Sequence, residues 1–125
     1  MFPRPDGQPY VLVVEDDAAL RELYRNALHQ AGFAVIAVDD GLTALRRLEV
    51  EQPAAVVLDL ELPRLGGRDV HKELQARRDM PKIPIVVVTG GDTTGLDPSD
   101  FACILRKPIS PDELVAAVER CCKRK

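Results

Sequence analysis

The stretch Ala54-Ala55-Val56-Val57-Leu58-Asp59-Leu60-Glu61-Leu62-Pro63 decides how the rest of the chain is read. Its opening run is continuously apolar, which suits a strand covered on both faces better than an amphipathic helix or a half-exposed strand. The run then stops on a carboxylate, Asp59. Upstream, Tyr10 to Val14 runs into Glu15-Asp16-Asp17; downstream, Ile83 to Val88 ends at Thr89. Phe33 to Val38 and Ala102 to Leu105 complete the predicted strands, and Lys107-Pro108 follows the last of them.

Helical patterns fill the gaps. Ala18 to Ala31 places Leu20, Leu23, Tyr24, Ala27, Leu28 and Ala31 at helical spacing, with Gly32 as a stop. Asp40-Gly41 opens a second helix carrying Leu42, Leu45 and Leu48, closed off by Pro53. A weaker third pattern uses Val70 and Leu74 and must end before Pro81. Ser110-Pro111-Asp112-Glu113 combines an N-cap, a first-turn proline and a capping-box glutamate ahead of Leu114, Val115 and Val118. Strands alternating with helices require right-handed crossovers, so the predicted fold is α/β, a doubly wound five-stranded parallel sheet with helices on both faces. Between Gly90 and Asp100 a helix is expected by alternation, but Gly90, Gly91, Gly95 and Pro98 oppose it, so the fourth helix is predicted to be short or missing.

With 125 residues, the chain has the size of one domain able to bury a core unaided. Residues 1–9, with three prolines and a glycine, are read as a flexible N-terminal arm, and residues 10–125 as the domain. No apolar run is long enough to span a bilayer and the N-terminus lacks the apolar core of a signal peptide, which gives the cytoplasm as the expected compartment without membrane insertion. A net charge of −3 offers no general attraction to nucleic acid, so no direct nucleic-acid contact is expected. The basic end Lys123-Arg124-Lys125 suits the negative end of a helix dipole. Cys103, Cys121 and Cys122 suggest packing rather than a disulfide framework, and His29 and His71 are read as solvated histidines on helices.

In open α/β sheets, ligands sit beyond the carboxyl ends of the strands. Glu15, Asp16, Asp59, Thr89 and Lys107 all fall at that edge. Clustered carboxylates repel one another, and a hard divalent cation such as Mg2+ would relieve them. Lys107 adds a point charge for an anion and Thr89 a hydroxyl donor. Together they describe a pocket for a phosphoryl group around a carboxylate nucleophile.

At this point the chain resembles the receiver domains of two-component response regulators, of the chemotaxis-regulator type. The resemblance rests on Val11 to Asp17, Val56 to Pro63 with Gly67, Val86 to Thr89, and Lys107-Pro108, in that order along nearly the whole chain after the arm. It implies a flavodoxin-like strand order of 2-1-3-4-5. Asp59 would be the phosphoacceptor; Asp16 would ligate Mg2+ directly, Glu15 through water, and the backbone carbonyl of Glu61 would complete the metal site together with Asp59. Mn2+ can stand in for Mg2+. Thr89 would move toward the phosphoryl group and Lys107 would pair with its oxygens. The implied donor is a phosphohistidine on a sensor histidine kinase or histidine phosphotransfer protein, and the implied output is a downstream protein target. The resemblance thus implies a signalling domain rather than an enzyme, whose only chemistry is its own phosphorylation and dephosphorylation.

The output region departs from that family. The interval from Thr89 to Lys107 is about one helical turn short. Ile104 occupies the usual place of a rotating Tyr or Phe, and Asp100-Phe101 replaces a common Gly-Ala pair. A phosphoryl group is expected to order the 90–100 loop. Glu61 sits near the route of attacking water, and orienting that water, repelling a phosphodonor and having no role as an exposed glutamate are all open. The alternative function is a phosphorylation-independent pseudo-receiver serving as a constitutive protein-interaction module. Nothing after Lys125 reads as an output domain, so the chain is either a stand-alone receiver or a piece of a larger regulator or hybrid kinase.

Overall fold

Side chains alternate between the two faces of a strand, so a sheet of unbroken apolar strands needs helices on both sides. A computed structural model describes residues 10–62, 66–76 and 83–122 of the chain. The arm and the basic end lie outside the described residues, as does the point where the third helix was expected to stop before Pro81. Along the chain run β1 (Tyr10–Val14), α1 (Ala18–Gln30), β2 (Ala34–Val38), α2 (Gly41–Val50), β3 (Ala55–Leu58), α3 (Gly67–Ala76), β4 (Ile85–Thr89), a 3-10 turn (Pro98–Asp100), β5 (Cys103–Arg106) and α4 (Pro111–Cys121). All ladders are parallel and the sheet order is β2-β1-β3-β4-β5.

Two cores follow from the alternation. Tyr10, Leu12, Val14, Val56, Leu58, Ile85 and Val87 face Ala44 and Leu48 of α2 and Val70 of α3. Val11, Val13, Val57, Val86 and Val88 face Tyr24 and Leu28 of α1 and Leu114, Ala117 and Val118 of α4. Each fully buried aliphatic or aromatic side chain contributes roughly 1.5–3 kcal/mol. Leu23 and Leu42, expected on covered faces, are 43% and 39% exposed, because the stripes that meet the sheet are narrower than the sequence spacing suggested. The partly buried Cys103, Cys121 and Cys122 pack against the second core.

The caps are local and legible. Asp17 accepts from Leu20 N–H at 3.0 Å, Asp40 accepts from Thr43 N–H at 2.8 Å, and Ser110 and Glu113 form the reciprocal capping box. Gly67 opens α3 directly against the chain beyond β3. A Cβ there would fall 2.3 Å from the Asp59 carbonyl oxygen and 2.5 Å from Leu60 Cα.

The crossover from β4 to β5 carries no α-helix among the described residues; only the 3-10 turn interrupts it. Leu96 and Phe101 cover the α2/α3 face of the sheet instead. His71 belongs to this cover. It was expected in solvent, but it is only 8% exposed, and its ring lies 4.5 Å from that of Phe101. Without a crossover helix, the imidazole and the phenyl ring supply the missing apolar surface.

Two outcomes follow from this packing. Gly67→Ala is expected to cost about 1–3 kcal/mol in urea unfolding, because the clash is with backbone that cannot step aside; unchanged stability would contradict the packing described. Burial pushes the His71 imidazole below its ordinary value of 6.5, only partly opposed by the charge of Asp100. A depressed folded-state value means that this contribution to stability is present above pH 6.5 and lost as pH falls through the folded value. His71→Phe should therefore show a flatter melting temperature than the native chain between about pH 7 and about pH 5.

Candidate functional site

The sheet order reverses direction beside β1, and β1 and β3 are neighbours, so their carboxyl ends flank the crevice where such folds place ligands. Val14 is in register with Leu58, which sets Glu15 and Asp59 side by side one residue further on. The Asp59 N–H donates to the Val14 carbonyl at 3.1 Å and fixes that step. Lys107 leaves β5 from the far side of β4, its N–H donating to the Thr89 carbonyl at 3.0 Å. The Lys107–Pro108 peptide is cis.

Lys107 reaches back across the edge. Its Nζ lies 3.0 Å from Asp59 Oδ2 and 2.7 Å from Glu15 Oε1. Glu15 and Asp59 are buried, whereas Asp16 is exposed at the mouth. Carboxylate oxygens of Glu15, Asp16 and Asp59 lie within 4.8 Å of one another. Among the described residues, three carboxylates meet one ammonium, which leaves two negative charges unmatched. The donors are all hard oxygens, and the charge deficit is that of a divalent cation, so the set fits Mg2+ in both chemistry and charge.

Electrostatics sharpen the arrangement. Burial raises the Glu15 carboxyl above its usual range; the Lys107 contact and the Asp17 N–H pull it down, and the charge of Asp59 pushes it up. Burial alone would depress the Lys107 ammonium, but hydrogen bonds and charge from Glu15 and Asp59 outweigh it and hold Lys107 above the usual lysine range. The ammonium therefore stays charged at all physiological pH values.

Neighbouring backbone holds the acids in place. The other Glu15 oxygen accepts from Asp17 N–H at 3.2 Å, and Asp17 itself caps α1. The Arg21 guanidinium donates to the carbonyls of Glu15 and Asp16 at 3.0 and 3.3 Å. Asp59 Oδ1 accepts from Glu61 N–H at 2.9 Å, while the Glu61 residue is exposed. Thr89 is fully buried at the end of β4. Its hydroxyl makes no hydrogen bond to Asp59; it accepts from Gly91 N–H at 3.1 Å. Five side chains read from sequence thus occupy one sheet edge. Glu15, Asp16 and Lys107 converge around Asp59, and Thr89 stands turned toward the following loop.

Sequence reading missed three arginines. Besides Arg21, Arg68 of α3 donates to the carbonyls of Asp92 and Thr94 at 2.7 and 3.4 Å, and Arg106 donates to the carbonyl of Gly91 at 3.3 Å. Their positions near the strand ends were visible. Their partners are main-chain carbonyls, which no residue pattern marks.

Comparison with known proteins agrees with this geometry. The family profile of the response regulator receiver domain matches residues 11–119. The response regulator MprA of Mycobacterium ulcerans (strain Agy99) is 36% identical over 121 residues, covering 91% of this chain and 50% of the relative; MprA of Mycobacterium sp. (strain KMS) is 37% identical with the same coverage. The chain thus spans about half the length of these curated relatives. Among solved structures, the response regulator StyR superposes with a TM-score of 0.82 at 32% identity, over 94% of this chain and 60% of StyR. The receiver domain of sensor histidine kinase PA1611 from Pseudomonas aeruginosa PAO1, described with a magnesium ion in its active site cleft, gives a TM-score of 0.81 at 25% identity, over 94% of this chain and 100% of that one. Strand order, acidic cluster and profile converge, and the chain belongs to the response regulator receiver domain family.

Proposed function

We propose that Asp59 accepts a phosphoryl group from a phosphohistidine on a partner kinase or phosphotransfer protein, in the cytoplasm, and that the domain signals through its aspartyl phosphate. The observation that carries this reading is Lys107 Nζ shared between Asp59 Oδ2 and Glu15 Oε1, beside a carboxylate cluster that, among the described residues, is short of two positive charges. Glu15, Asp16, Asp59 and the Glu61 carbonyl would hold Mg2+, with Mn2+ able to replace it. When bound, the cation neutralises phosphoryl oxygens as charge builds on them. An Asp59 carboxylate oxygen attacks phosphorus, the P–N bond breaks, and the histidine takes its electron pair and a proton. Lys107 moves part of its pairing from Asp59 to the incoming oxygens. Thr89 donates its hydroxyl to them. Catalysis here is positioning and charge neutralisation, with later hydrolysis returning Asp59 to its carboxylate.

Incubation with Mg2+ and an acyl phosphate should label the chain, and Asp59→Ala or chelation of the metal should abolish labelling, as read by intact mass. Labelling that survives Asp59→Ala would reject the assignment. Absence of labelling, with partner binding indifferent to that substitution, would favour the constitutive interaction module. Lys107→Ala leaves Glu15 and Asp59 without their cation and is expected to lower metal-free stability by roughly 1–3 kcal/mol. Added Mg2+ should raise its melting temperature by more than it raises that of the native chain, since no ammonium competes for the same oxygens. No Mg2+-dependent shift in either protein would rule out the metal site.

A further inference from the structure

The loop between β4 and β5 is held at Gly91 by two residues of the site, Thr89 and Glu61, of which only Glu61 is bonded to Asp59. Thr89, buried at the strand end, accepts from Gly91 N–H. Glu61, whose own N–H donates to Asp59 Oδ1, packs its carboxyl group against Gly91: a Cβ at that position would lie 2.4 Å from Glu61 Cδ and 2.5 Å from Oε2. Both contacts therefore end on Gly91, which has no side chain. The carbonyl of that residue is held at 3.3 Å by Arg106, which also reaches Thr93 Oγ1 at 3.4 Å. Arg106 is the ladder partner of Thr89, so its backbone cannot drift relative to the hydroxyl. Arg68 holds the next turn through the carbonyls of Asp92 and Thr94, and Asp92 itself accepts from Thr94 N–H at 2.8 Å.

Arg68 stands in the first turn of α3, where the helix dipole disfavours a cation, so the loop carbonyls are the groups that compensate it. Part of the loop that a phosphoryl group was expected to order is thus already held by these contacts. Ile104, at the usual place of the rotating aromatic, packs against the α2/α3 core and has no polar atom with which to report a change at Thr89. The backbone of residues 90–94 is the path left.

We infer that Arg106 and Arg68 are positioning residues that latch the segment Gly91 to Thr94 in the resting state, and that this latch takes the place of an aromatic switch. The inference rests on Asp59 being the phosphoacceptor. When the Thr89 hydroxyl turns to a phosphoryl oxygen, the Gly91 N–H loses its acceptor, and the bond that ties the segment to the end of β4 is gone. Gly91 shifts, its carbonyl leaves Arg106, and the turn held by Arg68 follows. The signal reaches the surface as a rearranged loop with its guanidinium groups released.

The test is amide hydrogen exchange on the full chain with Mg2+, with and without trifluoroberyllate as phosphoryl mimic, while bound fluoride is followed by 19F NMR. In the native chain the mimic should speed exchange at Gly91, Asp92 and Thr94 by roughly five- to tenfold, the shift that loss of one net hydrogen bond produces. Arg106→Ala should exchange fast at these amides before any mimic is added, with its melting temperature unchanged, and Arg106→Lys should restore part of the protection. Thr89→Ala should bind the mimic yet show no further change in the segment. Bound fluoride with unchanged exchange in the native chain would overturn the latch and leave the phosphoacceptor reading standing. No bound fluoride signal would remove that reading and the latch together.

Discussion

One ammonium group in contact with two buried carboxylates sets the terms for everything at this sheet edge. Lys107 can meet Asp59 and Glu15 together only if β1, β3 and β5 end at the same level, because the side chain must reach past β4. The ladders supply that level through Val14 opposite Leu58 and Thr89 opposite Arg106. Burying two carboxylates is costly unless they are paired and hydrogen-bonded, and here each has both a cation and a backbone N–H. The fold thereby presents a carboxylate that is fixed in place, partly neutralised and still short of positive charge.

Much of this was legible from sequence because strand termini are marked twice, once by the end of an apolar run and once by the polar residue that follows. Asp59, Glu15 and Lys107 could be placed at one edge from topology alone, since parallel strands all point their carboxyl ends the same way. The missing helix was legible too, from glycines and a proline where alternation required a helix. What replaced it was not. His71 and Phe101 are far apart in sequence, and the weak pattern of α3 gave no sign that an imidazole would pack, tilted, against a phenyl ring to cover the sheet. Arg21, Arg68 and Arg106 escaped for a different reason: an arginine donating to carbonyls has the same sequence signature as one in water.

The crossover between β4 and β5 links these observations. The absence of a helix there, among the described residues, leaves the α2/α3 face without that apolar cover and leaves no helix between β4 and β5 to hold the loop. Leu96, Phe101 and His71 answer the first loss, and the guanidinium contacts of Arg68 and Arg106 answer the second. His71 and Arg68 come from α3 and Arg106 from β5, while Leu96 and Phe101 belong to the crossover itself, so the sheet and its acidic edge need not change.

The proposed divalent-cation site is formed by the carboxylates of Glu15, Asp16 and Asp59. Mn2+ bound there would broaden the NMR spectrum of the native chain around residues 15–16 and 59–61, with the broadening reversed by excess Mg2+ and lost in Asp16→Asn. Broadening centred elsewhere, or unaffected by Mg2+, would contradict it.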